Sequence, residues 1–139
     1  MRELIAITLL LISNAASAEE WVFVRKPSDP GQAGTPAILV DSTSIEILAT
    51  GIRRARSKTD FLAPRANVEK FGPRTVVFII WVNSYDCEKQ MTHEDSLESH
   101  LIDGSVLAHD FPKDTRWYPA PANPAADPTI DFVCGWKPK

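Results

Sequence analysis

The chain has 139 residues, a formal net charge of −3, 44% hydrophobic residues, 11 prolines and two cysteines. That length holds a single domain, and the hydrophobic share is that of a globular protein, which excludes both a disordered tail and a polytopic membrane protein. The weak acidic balance provides no positive field for nucleic acid, so no nucleic-acid partner is expected.

Residues 1–18 read as a cleaved signal peptide. Arg2 supplies a positive start, residues 4–12 form an apolar stretch interrupted by Thr8, and Ala16-Ser17-Ala18 put small residues where a signal peptidase cuts. An apolar run of about nine residues falls short of the roughly 20 that span a membrane. Cleavage before Glu19 is therefore expected, leaving residues 19–139 as one periplasmic or secreted domain with no transmembrane segment. Lipid anchoring would need a cysteine at the cleavage site, where Glu19 stands, so lipid-anchored surface display is not expected. In an exported chain the two cysteines read as one disulfide, Cys87 to Cys134. They stand 47 positions apart, and closing a loop of that size is worth about 4 kcal/mol in the chain-entropy model.

Along the domain, Trp21-Val22-Phe23-Val24 predicts a first strand, followed by a Pro/Gly turn region at 28–36. Residues 37–40 predict a second strand, stopped at Asp41-Ser42-Thr43-Ser44, whose short side-chain oxygens bond nearby backbone. Residues 45–48 fit one turn of helix or a short strand. In 51–58 hydrophobicity alternates poorly, but Arg54, Arg56 and Lys58 would share one face, which predicts an exposed or edge strand. Residues 60–73, with Pro64, Gly72 and Pro73, read as a long connection.

Residues 75–82 predict the strongest strand. Val76, Phe78, Ile80 and Val82 lie on one face and Val77, Ile79 and Trp81 on the other, so cover is expected on both sides. Residues 85–91 and 101–109 predict further strands, with Asp103-Gly104 as a turn inside the second. Beyond Phe111 six prolines break regular structure. A short terminal helix is signposted by Asp127 as N-cap, Pro128 at the first helical position and Gly135 at the C-terminal cap. Its Ile130, Val133 and Cys134 share a face. A two-turn helix is marginal in water by itself, and tethering through Cys134 supplies the missing restraint. The predicted class is α+β, an antiparallel sheet of about six strands with a short C-terminal helix tied on by a disulfide.

With these elements placed, the sequence resembles the surface-adhesin protein E family of small bacterial exported domains. The resemblance rests on Trp21 at the start of the domain, Val40-Asp41-Ser42-Thr43-Ser44-Ile45, Tyr85-Asp86-Cys87, Asp103-Gly104, Trp117-Tyr118-Pro119 and Phe132-Val133-Cys134. It covers nearly all of the domain in the same order. It implies a curved antiparallel sheet with a disulfide-tethered C-terminal helix. It also implies a non-catalytic surface or periplasmic binding module, in a family known for adhesion to host extracellular-matrix proteins and for haem binding. Residues 60–73 exceed the family's usual connection in length. A host extracellular-matrix or envelope protein is thus the expected partner, and a periplasmic small-ligand or haem-binding protein, using a pocket under the terminal helix or the histidines, is the alternative.

Candidate site residues follow from side-chain chemistry. Arg54, Arg56 and Lys58 form a basic stripe suited to an acidic protein patch, sulfated glycan or phosphate, or else simply a charged strand edge that discourages aggregation. Trp117 and Tyr118 lie in a Pro-rich segment, where such residues serve as interface anchors, while Trp21 and Trp81 read as core. His93, His100 and His109 match no compact metal motif. His93 and His100, placed in an acidic exposed connection, are the weak candidates for a haem iron. No resident metal or cofactor is otherwise expected. Ser96 and Ser99 near the histidines lack a strained nucleophile turn, so no catalytic residues are assigned and no enzyme is expected.

Overall fold

The computed structural model describes residues 18–26, 36–61, 68–123 and 127–139. The expected signal peptide, apart from Ala18, lies outside the described residues, as do most of the turn region at 28–36 and part of the 60–73 connection. The elements are β1 (Trp21–Arg25), β2 (Ala37–Asp41), β3 (Glu46–Ala49), β4 (Ile52–Asp60), α1 (Val68–Phe71), β5 (Val76–Asp86), β6 (Met91–Leu101), β7 (Val106–Asp110), β8 (Tyr118–Pro119) and α2 (Thr129–Gly135). All pairings are antiparallel. The path runs β1-β2-β4-β5-β6-β7, with β3 added to β4 and β8 to β6.

Local chemistry explains the breaks. Asp41 Oδ1 accepts from the Thr43 amide at 3.1 Å and from its hydroxyl at 2.6 Å, which turns the chain out of β2. Asp103 does the same for Ser105 between β6 and β7, beside Gly104 at φ +87°. The terminal helix sits one residue later than expected. Pro128 occupies the N-cap, which has no side-chain bond of its own, and Asp127 Oδ1 accepts from Thr129 N at 3.0 Å.

One face of the sheet carries the core. Val40, Ala55 and Tyr85 pack against Ile130 and Val133 of α2, and Cys87 and Cys134 are joined with their Cα atoms 5.6 Å apart. Arg53, on the same face of β4 as Ala55, donates from Nη1 to the carbonyls of Val133 at 2.9 Å and Trp136 at 2.6 Å. These bonds satisfy carbonyls at the helix end that have no partner within it. The expected antiparallel sheet with a disulfide-tethered helix is thus present.

Two expectations about strands are corrected. Residues 51–58 are not an edge: β4 is paired to β5 along its whole length and to β2 and β3 on its other side. Arg54, Arg56 and Lys58 occupy one face of an interior strand rather than guarding an edge. The second correction concerns β5 and β6, which form one long hairpin turning at 87–90, with Gln90 at φ 53°. Residues 85–91 are therefore the end of one strand, a turn and the start of the next. The hairpin also places His93 and His100 inside β6 rather than in an exposed connection.

Candidate functional site

The face of the sheet opposite α2 is screened by long side chains lying across it. Register aligns Lys58 with Ile80, Arg56 with Val82 and Phe78 with His100 on adjacent strands, so these residues share the open face. The Lys58 ammonium lies 4.6 Å from the Phe78 ring centroid and 5.9 Å from that of Trp21, and the Arg56 guanidinium lies 5.6 Å from Trp21. On the far side Phe78 stacks on His100, centroids 4.2 Å apart and planes 18° apart. The result is a ladder of alternating cations and aromatic rings running across β1, β4, β5 and β6. Between its rungs is a cleft of about 240 Å³, lined also by Glu19 and Glu98.

Charge along the ladder is unevenly committed. Arg54 pairs with Asp95 at 3.0 Å, and Arg56 pairs with Glu19 at 2.8 Å and Asp41 at 3.5 Å. The Arg56 and Trp21 hydrogen bonds hold the Glu19 carboxyl below its ordinary range. Lys58 has no carboxylate at ion-pair distance among the described residues. The basic stripe read from sequence is on one face as expected, but two of its three members are neutralised by neighbours.

A bulge in β6 builds a second feature. Val82 stands opposite Ser96 and Asn83 opposite Glu94, so Asp95 is the extra residue. Its carboxylate gathers Arg54 Nε at 3.0 Å, Ser84 Oγ at 2.6 Å and His93 Nδ1 at 2.7 Å. Burial raises the Asp95 pKa, and the hydrogen bonds from Ser84, His93 and Arg54 outweigh burial and hold it below the ordinary value. His93 is 5% exposed and lies 5.3 Å from the Trp117 ring, with its Nε2 buried and without a hydrogen-bond partner. Serine, histidine and aspartate thus meet here, but Ser84 donates to Asp95 and not to His93. Among the described residues no three His, Cys, Asp or Glu side chains are arranged to hold a metal ion.

The remaining expected residues divide between the two faces. Trp117 covers His93, whereas Tyr118, opposite Thr92 in β8, turns to the helix side and donates to Glu94 Oε1 at 2.8 Å. Trp21, read as core, is half-buried on the open face, and Phe78 and Glu19 complete the ladder. The alternation in β4 and β5 placed Lys58 and Phe78 each on one face of its strand. Only the register shows that the two faces are the same. No helix among the described residues is long and apolar enough to cross a membrane.

No family model and no curated protein matches the chain. Among solved structures, the selenomethionine form of Haemophilus influenzae protein E aligns with a TM-score of 0.50 at 12% identity, covering 81% of this chain and 85% of that one. A second crystal form of that protein aligns with a TM-score of 0.49 at 13% identity, covering 82% and 96%. At such identity the first likeness establishes fold alone, and the fold of this chain is protein E-like.

Proposed function

We propose that the chain is an exported, non-catalytic binding module that engages a host or envelope protein through the open face of its sheet. The carrying observation is the ladder of Trp21, Arg56, Lys58, Phe78 and His100, which presents aromatic surface and one cation without a carboxylate partner. Aromatic residues and arginine are the side chains that dominate protein interfaces. A partner that fits offers apolar surface with a carboxylate to meet Lys58. The motifs resembling the surface-adhesin protein E family, the protein E-like fold and the disulfide, which suits an oxidising compartment, all support export and binding. The Ser84, Asp95 and His93 wiring supports the non-catalytic part, because a nucleophile must reach its base and here it is tied to the acid. Against the haem alternative, His93 Nε2 is buried and the His100 ring is stacked on Phe78.

The test is a pull-down with oxidised residues 19–139 from envelope extract and from host matrix proteins in parallel, using wild type and Trp21→Ala. Capture of the same protein in repeated wild-type experiments, lost with Trp21→Ala at unchanged melting, supports the proposal. Capture in neither arm, or capture indifferent to Trp21, overturns it.

A further inference from the structure

We propose that the cavity on the helix side of the sheet is a binding site for a small organic cation, an ammonium or guanidinium group. The cavity holds about 200 Å³ and opens between β4, β5 and β6 and the start of α2. Trp81, Tyr85 and Tyr118 give it aromatic walls, and Asn83, Glu94 and Asp127 give it oxygen acceptors. None of the described residues that line it is Lys, Arg or His.

Three observations point to a cation. Asn83 Oδ1 is buried without a hydrogen-bond partner, and buried acceptors are rarely left so. Glu94 uses one oxygen for the Tyr118 hydroxyl at 2.8 Å, and Asp127 uses one for Thr129 N at 3.0 Å, so among the described residues each carboxylate retains a second oxygen. Both phenols are held in the neutral form. Burial raises the Tyr85 pKa against a lowering hydrogen bond from the Asn83 side chain, with the Asp127 charge adding to the rise, and burial and then Glu94 raise that of Tyr118. Two carboxylates and, among the described residues, no cation therefore face one concave, aromatic space. A neutral donor could hydrogen-bond these acceptors but would leave both carboxylate charges without a counter-charge. A cation would satisfy Asn83, offer a counter-charge to Glu94 and Asp127 in the cavity wall, and meet ring faces of the kind that attract ammonium groups.

The cavity lies on the other side of the sheet from the proposed protein contact, and the two proposals stand or fall separately. The test is an NMR titration of oxidised protein with n-butylammonium and n-butylguanidinium, with n-butanol as the neutral match. Nα-acetyl-lysine methylamide carries the same head group on a peptide and distinguishes a side-chain source from a free amine. Saturable shifts at the Trp81 indole and the Asn83 side-chain amide are expected at millimolar probe. Glu94→Gln and Asp127→Asn should each weaken binding by about fivefold, and the double variant should abolish it. If the double variant fails to melt cooperatively, the single variants decide. Equal shifts with n-butanol, no saturation with either cation, or unchanged binding in folded variants would overturn the proposal.

Discussion

Replacing Cys87 and Cys134 together by serine removes the link that closes a loop of 47 positions, and the chain-entropy model puts the loss at about 4 kcal/mol. A domain of this size has a net stability of about 5–15 kcal/mol, so the loss takes a quarter of it or more. The helix would keep its buried Ile130 and Val133 and the two Arg53 bonds. A seven-residue helix cannot hold itself together without such contacts. The double variant is therefore expected to fold, with the helix as its weakest part. With a urea dependence of about 1.5–2 kcal/mol per molar, the unfolding midpoint should fall by about 2–3 M. Urea titrations of wild type and variant at pH 7, followed by tryptophan fluorescence and far-ultraviolet circular dichroism without reductant, measure this directly. A midpoint shift below about 0.5 M would refute the reasoning, because it would mean that the tether adds nothing to a helix already secured by packing.

Val133 is fully buried, and Val133→Ala should cost about 2 kcal/mol through two lost methyl groups and the cavity they leave, as read from the same urea titration. Arg53→Met keeps the aliphatic stem but leaves the Val133 and Trp136 carbonyls without their donor, for an expected loss of about 1.5–3 kcal/mol; an unchanged midpoint would remove Arg53 as a helix clamp. Asp95, whose pKa lies below the ordinary 3.8, stabilises the fold above its unfolded value and loses that contribution as pH falls through its folded value. Asp95→Asn should therefore destabilise by about 1–2 kcal/mol at pH 7. The gap to wild type should narrow as pH falls below the ordinary aspartate value of 3.8, and a gap of equal size at pH 7 and well below that value would contradict the assignment.

Strands rich in β-branched and aromatic residues were legible in the sequence, because β1, β2 and β5 carry the side chains that suit a pleated, half-buried surface. The disulfide followed from two cysteines in a chain expected to be exported, and the helix from Asp127, Pro128 and Gly135. By contrast, β6 was illegible. Its Thr92-His93-Glu94-Asp95-Ser96 stretch has no apolar alternation, and its burial comes from the Asp95 network and from Trp117. β4 misled for a related reason: three cations on one face resemble an edge, yet cross-strand rings and carboxylates absorb them. The ladder and the helix-side cavity both join residues far apart in the chain, from Ile38 to Thr129 in the case of the cavity. Strand register alone brings such residues together, and no local spacing announces it.

The central claim, that a partner is bound on the open face, is tested most directly by the dissociation constant of the captured protein for wild type, Lys58→Glu and Asp131→Lys. Asp131 is exposed on α2, on the other side of the sheet. Reversal at Lys58 should weaken binding by about tenfold or more, while reversal at Asp131 should leave it unchanged. The opposite pattern, with Asp131 decisive and Lys58 silent at equal melting temperature, would place the contact on the helix side and contradict the account.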